Sequence, residues 1–423
     1  MPLLQPFHAL SAPQRRTFAA CFLGWTLDAF DFFILTWCLD SVAATFHVSQ
    51  VTVTDGLFWT LCMRPVGALL FGLLAERFGR KRILILNIAC FTVFELSSAF
   101  APSFAIFLVT RALFGIGMGG EWGVGAALAF ESLPATGRGF FSGLLQEGYA
   151  TGNLLAGALY GITYALIFPH IHGAAYLTNW RALFVLGTLP SLGVIWLLVG
   201  CNESPAWLAS RNLIKEKAAD AVPIFRQVLQ YLPNFLLLTF MMTAFMSFSH
   251  GTQDLYPTFL KHDIGFSKTR ATWVSTAGGF GAIFGGICFG SISERLGRRR
   301  AIVAAALLAI PMIPLWAWSH TAVLLACGGF LMQFMVQGAW GVIPVHLNEL
   351  SPGPVRAIFP GLAYQIGNLT TSYNGHIQTA LAASLFAGHL GPVLGWTVLL
   401  VAVAVAFLSG FGKEAKGADL ATV

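Results

Sequence analysis

The chain has 423 residues, 56% of them hydrophobic and only 10% charged, and its mean hydropathy is +0.73. A soluble domain carries about 25% charged residues, so a water-soluble fold is excluded. The net charge of +6 would suit a nucleic-acid partner, but in a membrane protein it reflects Lys and Arg kept in cytoplasmic loops, and the placement of the charges separates the two.

At about 20 apolar residues per crossing helix, this length holds a dozen spans. In chain order, apolar runs fall at 18–39, 54–75, 83–101, 104–127, 140–165 and 182–200. Arg15 and Arg16 precede the first, which is longer than a signal-peptide core and lacks a cleavage site, so it reads as a retained span. A polar segment at 201–232 follows, with Arg211, Lys215, Glu216, Lys217, Asp220 and Arg226. Six more runs lie at 233–256, 271–293, 301–319, 321–346, 357–381 and 391–410. The expected fold is all-α and integral to the membrane, with twelve transmembrane helices and both termini cytoplasmic. Residues 1–200 and 233–410 form two six-helix halves, joined by a cytoplasmic loop at 201–232 and followed by a tail at 411–423.

With that orientation, eighteen Lys and Arg fall on the cytoplasmic side, and only Arg181, Lys261, Lys268 and Arg270 on the other. This positive-inside asymmetry accounts for the basic charge, and no nucleic-acid partner is expected. The seven cysteines form no CxxC pair, so neither a metal site nor a disulfide framework is indicated. Without a GxSxG, HExxH or P-loop motif, the chain reads as neither an enzyme nor an ATP-driven pump.

The chain repeats itself. Gly72, Glu76, Arg77, Gly79 and Arg80 recur as Gly290, Glu294, Arg295, Gly297 and Arg298, at an offset of 218. The same offset relates Trp122 to Trp340, Glu131 to Glu349, Pro134 to Pro352, Arg138 to Arg356 and Gly143 to Gly361. Two such halves, related by an axis along the membrane normal with a site between them, are a secondary-transporter architecture.

Both G-x-x-x-E-R-x-G-R segments resemble the signature loop of the major facilitator superfamily, with Glu where that loop usually has Asp. Arg111, Gly115, Gly117 and Gly119 resemble its fourth-helix motif. Gly24, Trp25, Asp28 and Asp31, then Arg64, Pro65 and Gly67, then Gly120, Glu121 and Trp122, are similar to the sialate/lactate:proton symporter branch. Ser249, His250, Thr252, Gln253, Asp254 and Thr258 resemble the seventh-helix motif of lactate/pyruvate:proton symporters, with Met246 where that motif begins with Asn. The resemblance implies proton-coupled symport of a small, lactate- or pyruvate-like monocarboxylate in a cell inner membrane, by a monomer with no cofactor beyond the proton gradient. Its partners would be the acid anion, protons and lipid. Alternatives are symport of sialic acid or another organic acid, drug/proton antiport, or a transporter-derived nutrient sensor.

Charges inside spans cost about 2.5–3.5 kcal/mol each at a helix centre on insertion scales and mark function by default. Arg64 is either a bidentate anchor for the substrate carboxylate or one end of a permanent ion pair with a first-helix Asp or Glu121. Asp31 with Arg111 resembles the proton-coupling pair of superfamily sugar symporters; the alternative is a static bridge between helices one and four. Asp28 reads as a cavity-facing polar group, the alternative being an Asp near the membrane interface. Glu121 either carries a proton or braces Arg64 or Arg111, while Glu95 and Glu147 have no partner that spacing reveals. His250 and Asp254 share a helical face and form a candidate titrating pair beside Gln253, with Pro257 expected to bend the helix just beyond. Gln146 and Asn153 on the fifth span, and Tyr364, Gln365 and Asn368 on the eleventh, are candidate cavity lining or interhelical bonds. In the signature loops, Gly72 and Gly290 would permit close helix approach, and Glu76 and Glu294 would sit at neighbouring helix N-termini. Arg77, Arg80, Arg295 and Arg298 would bridge the halves as a gate.

Overall fold

The structure, a computed structural model, describes residues 5–168, 180–216 and 224–420, so the expected loop residues Lys217 and Asp220 lie outside it. Every regular element among the described residues is a helix or helical turn. The first half contains α1 (Ala12–Phe46), α2 (Gln50–Phe78), α3 (Arg80–Ala99), α4 (Phe104–Ser132), α5 (Arg138–Gln146 with Gly148–Ile162) and α6 (Trp180–Val199). The second contains α7 (Leu232–His262), α8 (Lys268–Leu296), α9 (Arg298–Ala317), α10 (Ala322–Leu350), α11 (Phe359–Thr371 with Asn374–Leu385) and α12 (Leu390–Gly410). Ten of these are long and apolar enough to cross a bilayer as single segments. The other two, α5 and α11, are each interrupted, and they occupy corresponding places in the two halves.

The duplication extends to helix bounds. Shifted by 218, α2, α3 and α4 coincide end for end with α8, α9 and α10. Local chemistry explains the match. Ser49, Ser103, Ser267 and Thr321 each accept a hydrogen bond from the backbone N–H three residues on, satisfying a donor that the helix start leaves free. Gly79 and Gly297 end α2 and α8 at φ +105° and +93°, a left-handed conformation that a side chain resists. Proline sets the interruptions of α7 and α9. Pro257 is at the second position of the new helical piece beginning at Tyr256, after a break at Asp254–Leu255, and Pro311 lies in a tight 3-10 turn within α9.

Large apolar side chains such as Leu154, Trp196, Phe240, Trp273 and Phe407 are exposed around the outside, far more than a soluble protein tolerates and suited to contact with lipid tails. Inside, the halves meet along two seams, α2 with α11 and α5 with α8. Glycine makes both possible. A Cβ on Gly72 would lie 2.9 Å from the Ala357 carbonyl oxygen, and one on Gly143 would lie 2.3 Å from that of Gly286. Both seams are closed at the end of the bundle that carries the signature loops.

Candidate functional site

The loop layer is built twice. Glu76 accepts a hydrogen bond from the Ala357 backbone N–H at 2.8 Å, and Glu294 accepts one from Gly139 N–H. Positions 139 and 357 are themselves related by 218, so each half lends a carboxylate to the helix start of the other. The expected placement of both glutamates is therefore observed, across the half–half boundary. The expected arginine bridges are not. Arg80 pairs with Glu76 at 2.8 Å and Glu131 at 3.2 Å, and Arg298 with Glu294 at 2.8 Å and Glu349 at 3.0 Å, all within their own halves. Arg77 and Arg295 are exposed and make no ion pair among the described residues, because each follows its glutamate by one position and so points off the packed face. The cation that crosses is Arg356, 3.6 Å from Glu131.

Two kinds of contact in this layer were not foreseen. Glu203 accepts from Lys81 N–H and Glu414 from Arg298 and Arg299 N–H, which caps α3 and α9. Between the halves, the tail accepts Arg138 on the Ala418 carbonyl and Arg356 on the Leu420 carbonyl, both at 2.8 Å. The equal spacing of Arg138 and Arg356 was visible in sequence, but main-chain acceptors leave no residue signature.

Away from the loops the halves separate around a cavity of about 590 Å³. On α8 its lining runs from Ser275 to Ala282, in the half of that helix away from the signature loop. Arg64 lines it although only 2% exposed. The sole hydrogen bond of its side chain among the described residues runs from Nη2 to Asp28 Oδ2 at 3.3 Å, and its Nε has no partner. Opposite, His250 Nδ1 meets Asp254 Oδ2 at 3.1 Å and His250 Nε2 meets Asn368 Oδ1 at 3.3 Å. Gln253 donates to Gln333 at 2.8 Å, and Gln337 to Ser249 at 3.2 Å. The expected Gln146, Gln253, Tyr364 and Asn368 are all at the wall. Gln365, on the same helix, is buried with neither amide atom bonded. Rings close the floor: Tyr364 stacks on Trp122 with centroids 4.5 Å apart and meets Trp340 edge-on.

Behind this wall the buried charges differ from expectation. Asp28 does not face the cavity; it is fully buried behind Arg64. Asp31 and Arg111 do not pair. Arg111 bonds to Glu95 and Ser98 and lies 4.1 Å from the centre of the Phe114 ring, an arrangement that holds the cation by ion pair and ring face together. Among the described residues neither Asp31 oxygen has a hydrogen-bond partner. Glu121 braces neither arginine: both its oxygens are unpartnered, and one would lie 2.7 Å from a Cβ on Gly24. Glu95, given no role from spacing, could have been found by depth, since α3 and α4 form an antiparallel hairpin and Glu95 and Arg111 sit at similar distances from its turn. Among the described residues no group of His, Cys, Asp and Glu could hold a metal.

A duplicated six-helix half, a paired signature loop and a cavity on the axis between them decide the family, and the comparisons agree. Residues 21–369 match the model of the Major Facilitator Superfamily. The chain belongs to that superfamily. It is a multi-pass membrane transporter and not an enzyme. The chain is 31% identical over 383 residues to the "Carboxylic acid transporter protein homolog" of Saccharomyces cerevisiae, covering 85% of this chain but 60% of that one. It is 26% identical to the "Sialic acid transporter NanX" of Escherichia coli, covering 95% and 94%. Its fold is similar to that of a proton:xylose symporter, XylE, with a TM-score of 0.73 at 22% identity over 96% of this chain and 97% of that one.

Proposed function

We propose that this transporter is a proton-coupled symporter of organic monocarboxylates working by alternating access. The observation that carries the reading is Arg64, a guanidinium on the cavity wall with most of its donors unused. Planar N–H pairs match a carboxylate, and the relatives' names include carboxylic acid, sialic acid and niacin carriers. With the basic loops on the cytoplasmic side, the cavity opens outward and the described state is ready to load. Binding of the substrate anion draws Arg64 from Asp28. Behind it Asp31 and Glu121, buried with no ion pair and no hydrogen-bond donor among the described residues, are costly to ionise in place and take up a proton instead, so that anion and proton cross together.

Lactate and pyruvate are the first substrates to test, since His250, Gln253 and Asn368 offer donors for a hydroxyl or keto group. A second reading is favoured by size: 590 Å³ is in the range of pockets that enclose drug-sized ligands, and the stacked rings at the floor suit a larger, flat acid. We place the protein in a cell inner membrane as a monomer. The test is uptake of labelled lactate, pyruvate, sialate and nicotinate into proteoliposomes under an imposed pH gradient, with and without protonophore. Accumulation abolished by protonophore is expected, and Arg64→Lys, which keeps the charge but loses the fork, is expected to weaken uptake at least tenfold. Wild-type affinity in Arg64→Lys would refute the anchor.

A further inference from the structure

One acidic group on the cavity wall remains without a part. Glu147 interrupts α5: the helical piece ending at Gln146 stops there, a new one begins at Gly148, and the Glu147 N–H reaches Leu144, three residues back. The side chain is 7% exposed and lines the cavity, yet its carboxylate makes no ion pair or hydrogen bond among the described residues. It points across the seam. Its Oε1 would lie 2.3 Å from a Cβ on Gly286 of α8, so the absence of that Cβ makes the seat.

The seat is on the mechanical axis of the molecule. Gly286 is where three helices cross: its carbonyl oxygen would lie 2.3 Å from a Cβ on Gly143 of α5 and also 2.3 Å from one on Gly341 of α10. Glu147 is one turn above Gly143, at the point where the closed seam gives way to the cavity. Any motion that opens the loop side must separate α5 from α8 and lift Gly286 away from this carboxyl.

The titratable groups on the surrounding elements do not neutralise it. Arg64 on α2 is engaged with Asp28 of α1, Asp31 is buried behind the wall, and His250 and Asp254 of α7 bind each other. Cys288 and Glu294 of α8, and His346 and Glu349 of α10, lie towards the loops, while Tyr149 and Tyr364 are near neighbours on α5 and α11. None bonds to the Glu147 carboxyl. An ionised carboxylate pressed against backbone with no cation or donor is strongly disfavoured, whereas a neutral one fits.

We propose that Glu147 is a proton-binding site distinct from the acids of α1 and α4, and that its occupancy governs the α5–α8 seam. A proton taken from cavity water seats the neutral carboxyl against Gly286 and holds the loop side shut. When the seam opens the group meets water and releases the proton there, and the ionised form resists reseating. The proposal rests on the reading of proton-coupled transport, but it is tested here without any substrate.

Spectroscopic labels at Arg77→Cys and Arg295→Cys, two exposed positions in opposite halves, with Cys327 replaced by Ala, report the opening of the loop side in purified protein in nanodiscs. With no organic acid present, the open fraction is expected to rise with pH. Glu147→Gln is expected to abolish that rise, and with it the protonated-carboxyl C=O band lost on a pH step in infrared difference spectra. Gly286→Ala is the second variant, because its new methyl meets nothing nearer than the movable end of Glu147. Pushing the carboxyl into the wet cavity is expected to shift the pH response downward, and this variant decides the matter if Glu147→Gln does not fold. A pH response unchanged in Glu147→Gln, absent in the wild type, or unmoved in Gly286→Ala would overturn the proposal. Failure of all four labelled acids to enter proteoliposomes would instead strike only at the substrate reading.

Discussion

The loop layer and the interior contrast sharply. In the loop layer the main contacts come in pairs related by 218 residues: Arg80–Glu131 and Arg298–Glu349, Glu76 on Ala357 and Glu294 on Gly139. In the interior the offset finds no charged twins. Asp28, Asp31, Arg64, Glu95, Arg111, Glu121 and Glu147 of the first half correspond to Met246, Ser249, Ala282, Ile313, Gly329, Ala339 and Gln365 of the second. Among the described residues all the buried charge of the membrane interior is in one half, while the other supplies imidazole, amide and hydroxyl groups and the partly exposed Asp254 carboxylate to the cavity. Duplication has been kept where both halves must do the same mechanical work, and lost where a site must tell one face of a ligand from the other.

Removing a charge from the asymmetric interior should have the largest effect. Arg111→Ala strands Glu95 in a dry site, and loss of one partner from a buried pair costs about 3–5 kcal/mol. A marked drop in melting temperature of the purified protein is expected, and relieved by Glu95→Gln in the same chain. A melting point equal to the wild type would mean that the pair contributes no more than a surface bridge.

Next comes the symmetric layer. Hydrogen bonds to charged groups contribute about 1.5–3 kcal/mol each, so Glu76→Ala and Glu294→Ala should each shift the closed-to-open balance of the loop side by about tenfold or more. Because the two contacts are related by the duplication, the two shifts should be similar, as measured with the label pair at positions 77 and 295. A large effect from one glutamate alone would break the claim that the latch is two-sided.

His250→Gln should act more mildly. His250 has both ring nitrogens in contact with partners, and an imidazole changes charge between about pH 5 and 8. Uptake should persist with a flatter pH profile over that window; an unaltered profile would remove His250 from the coupling scheme. Smallest is Arg77→Ala, expected to stay within about 0.5 kcal/mol of wild-type stability, since the exposed guanidinium makes no ion pair among the described residues.

How far the sequence could be read follows the same division. Span positions, the repeat and the seats of Glu76 and Glu294 were legible because periodicity and duplication leave regular marks. The breaks in α5 and α11 were not, since neither contains a proline at its interruption, and a helix end without such a marker looks like a continuous apolar run. Pairing inside the bundle was the least legible. Which of Asp31 and Glu95 meets Arg111 depends on helix rotation, and a turn of a few tens of degrees exchanges one acid for the other without changing the pattern of apolar residues. Glu147 was invisible for a related reason: its seat is a missing Cβ on another helix, and a glycine advertises neither what approaches it nor from where.

The strap formed by Ala418 and Leu420 holds both halves through main-chain oxygens, which every amino acid possesses. Apart from Glu414, which caps α9, and the buried Leu420, its side chains are therefore free to drift while its length and path are not. An insertion or deletion of one residue between Gly410 and Ala418 would put those two oxygens out of register with Arg138 and Arg356, so in this stretch, Glu414 aside, spacing more than spelling is what selection can see.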